Sequence, residues 1–451
     1  MELPVQQFRT KGEQGFLDMF EAARGALPGA DDPFLAGLRN KAIETYARLG
    51  LPHRRIEAWK YTDLRALLGD VHPLIRAVGL PVGAGDVRRA LGPSLAELPA
   101  FHLFMVEGEL RPDLSDLAAL REAGVEALSL AAALEKPSTW LKQALGAINP
   151  RPDDSVLALN SALMTGGVVL RVGEAVTLDK PIHIVHLDGT GEPASIFTRS
   201  LVVAEPSSAA TLIESHASLG RLRGLQRNAV IELRIGAKAA IDHIKIEREG
   251  EDAVHLATAL VEIGADARYN AFQFSTGGAL VRSQTFARFA GEGSSLDISG
   301  AFLMRGRQHC DTTLLVEHAV PRCTSRELFK AVLDGEAHGV FQGKIIVAPD
   351  AQKTDGKQMA QALLLSETAE FDSKPELEIF ADDVACGHGS TSGQIDEELL
   401  FYLEARGIPK DEARALLIQA FIGDAIDRVA REDVREALSR ASAEWLGVAA
   451  E

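Results

Sequence analysis

Apolar residues from about Phe16 to Leu68 recur at helical spacing, with breaks at Pro28-Gly29 and Gly50-Leu51-Pro52. One stripe, Leu35, Leu38, Ala42, Ile43, Tyr46 and Leu49, follows Asp32-Pro33, where aspartate can cap a helix and proline can take its first position. An N-terminal helical region is expected. Between roughly Asp86 and Pro150 the pattern is mixed: the run at residues 100–106 predicts a strand, and Ala- and Leu-rich helices follow it. From about Asp154 the period changes to two. Short alternating runs such as Val168–Val172 and residues 182–187, punctuated by Gly and Pro, predict strands, and their number predicts an all-β segment.

A weak repeat runs through that segment. Pro206, Gly236, Gly264 and Gly291 each open a stretch of small residues followed by alternating apolar positions, at intervals of 30, 28 and 27 residues. A near-constant period of short strands predicts stacked rungs, because each rung buries its inward face only against its neighbours. A β-helix or related solenoid is the leading architecture; an ordinary sandwich with evenly spaced hairpins is the alternative. The last rung of a stack exposes a hydrogen-bonding edge that needs cover. The C-terminal stripes are expected to provide it: Leu399, Leu400 and Leu403, then, after Gly407-Ile408-Pro409, Ala413, Leu416, Leu417, Ala420, Phe421 and Asp424. A third helix near residues 432–446 carries mostly small and charged residues. The expected organisation is a helical region with a small mixed α/β part at 1–150, a β core at 151–392 and a helical region at 393–451.

Composition narrows the function. With 451 residues and 46% hydrophobic content the chain can bury a large core in two or three segments. Acidic residues outnumber Lys and Arg by 64 to 47, for a formal charge of -17, and this mean field would repel a nucleic-acid backbone. The opening residues lack the basic start, apolar run and cleavage site of a signal peptide, and no run of eighteen or more apolar residues occurs, so a cytoplasmic protein without a membrane span is expected. The three cysteines, Cys310, Cys323 and Cys386, include no Cys-x-x-Cys pair, and reduced thiols are expected.

Local catalytic motifs are missing. Gly339-Val-Phe-Gln-Gly343-Lys344-Ile345 resembles a phosphate-binding loop, but its first glycine is one residue too close and Ile345 has no hydroxyl for a metal. Its surroundings also read as strand, which argues against nucleotide hydrolysis. Neither Gly-x-Ser-x-Gly nor His-Glu-x-x-His nor a strand-to-helix Gly-x-Gly-x-x-Gly is present. An enzyme using scattered carboxylates on a polysaccharide stays open as an alternative.

The most chemically loaded stretch is residues 380–393. On a strand, residues two apart share a face, so Cys386 and His388 would project together, a soft thiolate beside an imidazole, with Gly387 and Gly389 allowing close backbone approach. Two ligands leave a tetrahedral metal site half made, and the rest would have to come from distant residues or another chain. The alternative is a buried structural thiol beside a capping histidine. His309-Cys310-Asp311 and His318 form a second polar group; neighbours on a strand face opposite ways, so His309 and Cys310 cannot both ligate, and structural roles are expected. The same holds for Cys323, in a Pro-Arg-Cys-Thr-Ser loop, and for Trp59-Lys60-Tyr61, where packing is favoured over partner contact.

Residues 344–355, Gln358, residues 363–367 and 374–379, and Cys386-Gly-His-Gly-Ser-Thr-Ser-Gly closely resemble the SufB/SufD family of the SUF iron-sulfur cluster system. Residues 55–63, Arg-Ile-Glu-Ala-Trp-Lys-Tyr-Thr-Asp, look like the N-terminal signature of the SufD branch, and the shortage of cysteines favours that branch over SufB. The resemblance implies a mainly β fold, a right-handed parallel β-helix flanked by helical regions. It implies a non-catalytic scaffold that pairs side by side with SufB and docks a SufC ATPase on its C-terminal helices, with ATP-driven SufC dimerisation straining the junction where a nascent iron-sulfur cluster forms. The family's Cys-x-His motif falls on Cys386 and His388, with His388 the favoured ligand facing a SufB cysteine. The SufC contact falls after Asp396, where Phe401, Tyr402, Leu417 and Phe421 could supply packing and anchors. Reduced flavin is associated with the family's complex, although no flavin fingerprint is present here. Homodimers of isolated chains through the edge meant for SufB are compatible with the sequence. A polysaccharide enzyme and a purely structural binding module are the rival readings.

Overall fold

The computed structural model describes residues 9–75, 80–149, 151–189, 191–220 and 224–448; residues 1–8, part of the opening read for a targeting signal, lie outside these. Helix α1 spans Lys11–Ala23 and α2 spans Pro33–Leu49. The cap at α2 is the one the sequence predicts: the Asp32 carboxylate accepts from the amides of Phe34 and Leu35, Pro33 takes the first position, and Leu35, Ala42 and Tyr46 are buried. Arg39 joins that face because its guanidinium donates to the carbonyls of Ala162, Met164 and Pro28. Asp32 also holds Lys142 at 2.7 Å. Asp32→Ala should lower stability by about 1–2 kcal/mol in urea unfolding, the usual effect of losing a cap.

Short helices follow: α3 Leu64–Leu67, α4 Ala84–Leu91, α5 Pro93–Ala96, α6 Leu117–Glu122, α7 Leu130–Glu135, α8 Thr139–Ala144 and α9 Ser155–Leu163. After the strands come α10 Glu397–Ala405, α11 Lys410–Ile426 and α12 Glu432–Leu446. The first strands are β1 Phe101–Val106, β2 Glu109–Leu110, β3 Val125–Ser129, β4 Val168–Val172, β5 Ile182–Asp188, β6 Ala194–Ala204, β7 Ala209–Ser218, β8 Leu225–Ile235, β9 Ala240–Arg248 and β10 Val254–Ile263. Then come β11 Arg268–Ser275, β12 Leu280–Phe289, β13 Ser295–Met304, β14 His309–His318, β15 Thr324–Leu333, β16 His338–Val347, β17 Asp355–Leu364, β18 Glu370–Ile379 and β19 Ala385–Gly393.

Consecutive strands alternate between two sheets, ordered β19-β17-β15-β13-β11-β9-β7-β5-β1-β2 and β18-β16-β14-β12-β10-β8-β6-β4-β3. From β4 onward each strand pairs in parallel with the next but one, so the chain winds as a parallel β-solenoid rather than as a sandwich of hairpins. The antiparallel pairs, β1 with β2 and β3 with β4, lie at the first end, where β1 also pairs in parallel with β5. The repeat starting at Pro206, Gly236, Gly264 and Gly291 leads into β7, β9, β11 and β13, one sheet's strand from each turn. The corners that lead from the even-numbered to the odd-numbered sheet, from β6–β7 to β16–β17, each carry a left-handed residue, with φ of 61° at Ser207 and Lys238, 53° at Asp266, 74° at Gly293, 59° at Arg322 and 63° at Lys353. Five of these six are not glycine, which hides the corners from a search for turn residues.

Inside the coil, Leu170, Val202, Ile231, Ile263, Phe289 and Val316 of one sheet meet Ile184, Leu212, Ile241, Tyr269 and Ile298 of the other. The outer face of the even-numbered sheet is covered by N-terminal helices, with Phe16, Tyr46, Trp59 and Leu163 packed against Phe197, Leu256 and Leu280. Trp59 acts as the packing group expected, buried beneath the Arg282 guanidinium, which sits 3.7 Å from its ring centre. The outer face of the odd-numbered sheet carries Val185, Ile213, Ile246, Phe274, Leu303 and Val332, and is covered by α4, α5, α11 and α12.

The C-terminal helices depart from expectation in two ways. They cover this outer face, not the last rung, because the continuous apolar face offers far more area than an exposed strand edge; β18 and β19 stay half-exposed or exposed along their lengths. The stripe on α11 is also shifted: Ala413, Ile418, Ile422 and Ala425 face inward, while Leu416 is 40% exposed and Ala420 is exposed.

Candidate functional site

The site residues follow from the strand register at the open end. Leu296, Ser325, Gly356 and Cys386 form one row across β13, β15, β17 and β19, and Ile298, Glu327, Gln358 and His388 form the next. Leu296 and Ile298 point into the core. The rows therefore give Cys386 and His388 the same inward face of the final rung, as the two-residue period requires. Cys386 is half-buried against a small cluster that includes Ile345, Val347 and Ala351, whereas His388 is exposed. Among the described residues β19 pairs only with β17 and β18 only with β16, so each sheet ends in an unpaired edge beside these side chains.

Burial pushes the Cys386 thiol up, against a backbone hydrogen bond from Gly356 that pulls it down. The thiol is therefore a poor ligand until a metal displaces its proton. His388 adds an imidazole nitrogen beside it. Together they offer one soft and one borderline donor on one face, enough to hold half of a four-coordinate metal or cluster iron.

The rung below is packed tightly. Gln358 donates to the Gly343 carbonyl at 3.2 Å, and a Cβ at Gly343 would lie 2.1 Å from Gln358 Oε1, so a side chain there would have to displace the Gln358 amide. The stretch that imitates a phosphate loop is thus β16, an extended strand. Glu327 is 3% exposed, and neither of its carboxylate oxygens has a hydrogen-bond partner; burial, then Asp297, push it up to about 8. The sequence does not mark Glu327 as a site residue, and Gln358 enters it only within the family resemblance. Their signal was the row itself: in Ser325-Arg-Glu327 and Gly356-Lys-Gln358 the polar group holds the inward parity.

The other polar candidates are spread apart. Cys310 faces inward with Val281 and Phe302. His309 and Asp311 face outward to Thr62, at 2.9 and 2.5 Å, and Asp311 also pairs with Arg282. His318 meets Ser325 Oγ at 3.0 Å and lies on Phe289, with ring centres 4.6 Å apart. Cys323 is buried and close to the carbonyls of Gly291 and Pro321. All three cysteines are free thiols, as expected. Cys310 and Cys323 thus stay apart from the Cys386 and His388 pair.

The four apolar candidates after Asp396 divide. Phe401 and Tyr402 are 70% and 53% exposed on α10. Leu417 is half-buried, and Phe421 packs inward with Lys330 Nζ 4.5 Å from its ring centre. Lys330 in turn holds Asp424 at 2.7 Å, which fastens α11 to β15.

Comparison with known proteins agrees along the chain. Residues 186–421 match the family profile described as SUF system FeS cluster assembly, SufBD core domain, and residues 10–184 match the SufBD protein N-terminal region. The chain is 32% identical over 399 residues to the iron-sulfur cluster assembly protein SufD of Escherichia coli (strain K12), covering 87% of this chain and 89% of that protein. It is 30% identical over 415 residues to an iron-sulfur cluster assembly SufBD family protein of Synechocystis, covering 89% of each. It is 25% identical over 411 residues to SufD of Bacillus subtilis, covering 90% of this chain and 92% of that protein.

Proposed function

This chain belongs to the SufBD family of iron-sulfur cluster assembly proteins, and on that premise we propose that it is a scaffold subunit lending half of a cluster site to a junction with a SufB-type partner. The carrying observation is that Cys386 and His388 share the inward face of a terminal rung whose edges are unpaired. A second parallel sheet can add its hydrogen bonds to such an edge and bring its own ligands to the same place. The cluster is cargo, held between subunits and passed on. His388 is the steadier donor and Cys386 joins once metal displaces its proton.

The division of the chain at about residues 150 and 392 belongs to the same reading. The solenoid carries the junction, and the helices after it carry a handle for a SufC-type ATPase, with Phe401 and Tyr402 as its exposed anchors. Leu417 and Phe421 support that handle from beneath. The expected chemistry of this chain is positioning, with nucleotide hydrolysis left to the partner.

The test is co-expression of the chain with SufB- and SufC-type partners and measurement of cluster formation in the purified complex. His388→Ala should leave the complex intact and cut cluster formation to below about a fifth, as loss of a metal ligand does. Cluster formation at the wild-type rate in an intact His388→Ala complex would sink the assignment. If Cys386→Ala combined with His388→Ala still supports full assembly, the chain is a structural module only.

A further inference from the structure

The interior of the solenoid is apolar for most of its length but not near β5, β7 and β9. There the inward rows continue from Ile184, Leu212 and Ile241 to His186, Glu214, His216, Lys245 and Glu247, with Arg227 and His255 on the facing strands. The rings of His186 and His216 stack with centres 4.2 Å apart and planes 8° from parallel, and His255 meets His216 edge-on at 4.7 Å.

His186 and His216 are 2% and 1% exposed, and among the described residues none of their four ring nitrogens has a hydrogen-bond partner. Other buried imidazoles differ. His183 meets Ser215, His243 meets Glu214 and Tyr269, His255 meets Glu249 and Lys245, and His318 meets Ser325. A buried nitrogen with no partner has lost water and gained nothing, and two such rings touching each other need an explanation.

One ligand atom from each of His186, Glu214 and His216 lies within 4.8 Å of the others. An ion with bonds near 2.1 Å wants tetrahedral donors about 3.4 Å apart, so the two stacked rings must tilt out of parallel to turn their in-plane lone pairs on one point when the ion enters. The carboxylate is already oriented: Glu214 Oε2 is held by His243 Nε2 at 2.7 Å, and His243 Nδ1 meets the Tyr269 hydroxyl at 3.0 Å, the outer layer that metal ligands commonly have. An adjoining cavity of about 30 Å³, lined by Glu214, His216, His243 and Lys245, has room for a water as a further ligand. The neighbouring triplet His216, Glu249 and His255 is less apt, because Glu249 and His255 are already engaged with each other, with Arg227 and with Lys245.

We propose that His186, Glu214 and His216 bind one divalent first-row transition-metal ion, zinc or ferrous iron, as a sealed structural site inside the solenoid. Two imidazoles are borderline donors that, with one carboxylate, suit such ions, whereas calcium and magnesium want oxygen donors throughout. Among the described residues neither ring has a hydrogen-bond partner to give up when an ion binds. The site sits six strand spacings from β19, about 29 Å, and does not depend on the role of His388.

For the test, the full-length untagged chain is unfolded with chelator and refolded with one equivalent of Zn²⁺ or, without oxygen, Fe²⁺, then desalted and its metal measured. His186→Gln, His216→Gln and His338→Asn are treated alongside; the last belongs to the half-exposed cluster of His338, Glu370 and Asp372. The wild type and His338→Asn should each hold about one ion that EDTA fails to remove from the folded chain, and the other two variants below about a tenth as much. The metal retained better names the ion. Retention in His186→Gln and His216→Gln, loss in His338→Asn, or rapid stripping by EDTA overturns the proposal. If the variants do not refold, the wild type refolded with Co²⁺ decides. Intense visible bands of a low-coordinate site are expected, and the weak spectrum of a six-coordinate ion overturns it.

Discussion

Replacing Arg227 with methionine is expected to destabilise the chain by about 3–5 kcal/mol in urea unfolding near neutral pH. The guanidinium is buried, pairs with Asp188, and donates to Glu249 at 2.7 Å. Burial opposes ionisation of Glu249, yet Arg227 and then His255, 2.9 Å away, hold it well below the usual carboxylate range. Methionine fills similar volume but leaves Asp188 and Glu249 without their cation. The pH dependence follows with a definite sign. Burial already holds Asp188 up at about 7 beside Arg227, and with Arg227 gone burial lifts both carboxyls further above their unfolded values, so the folded variant holds protons that the unfolded chain releases as pH rises. The deficit should therefore be larger at pH 8 than at pH 5. A deficit below about 1 kcal/mol, or one that does not change with pH, would contradict this account.

Glu327→Gln should do the opposite and stabilise the chain. Its carboxyl has no hydrogen-bond partner and is lifted to about 8 from an ordinary 4.5 by burial and then by Asp297. Between those values the folded chain keeps a proton that the unfolded chain gives up, so stability falls as pH rises through that window. At about 1.4 kcal/mol per pH unit, the penalty reaches roughly 3 kcal/mol by neutral pH. Glutamine mimics the protonated acid and cannot titrate. Wild type and variant should match near pH 5, and the variant should be the more stable by about 3 kcal/mol at pH 7. Equal stability at both pH values would show that Glu327 is not buried as a neutral acid. A residue that costs this much in the row leading to His388 also makes Glu327→Gln worth testing for cluster formation.

What could be read from the sequence was whatever depended on local chemistry. Asp32-Pro33 predicts its helix because cap and first turn need only neighbouring residues. The strand period and the repeat at Pro206, Gly236, Gly264 and Gly291 predict the solenoid because every rung solves the same burial problem. Cys386 and His388 were paired by parity alone, and the register gives them that shared face. What stayed hidden depended on distant partners. The polar interior at His186, Glu214, His216 and Arg227 looks like a solvated surface until β8 and β10 are set against β5 and β7. On α11, Leu416 and Leu417 outweigh Ala413 and Ile418 by eye, but the face is chosen by the shape of the sheet beneath it. Pro375 also disguises β18, since proline within a strand is tolerated chiefly at an edge, and β18 is one.

The winding also turns chain length into a ruler. Each turn contributes one strand to each sheet, so a segment of one repeat, such as the 28 residues from Gly236 to Gly264, can be inserted or removed without changing which side chains face inward elsewhere. Such a change would move the terminal rung by about 4.8 Å relative to α4 and α5, which pack beside the early turns, while α11 stays fastened to β15. The number of turns, more than any single residue, therefore sets how far Cys386 and His388 stand beyond α4 and α5. Relatives that differ by a whole turn would keep the same interior rows and present the same two side chains at a different reach.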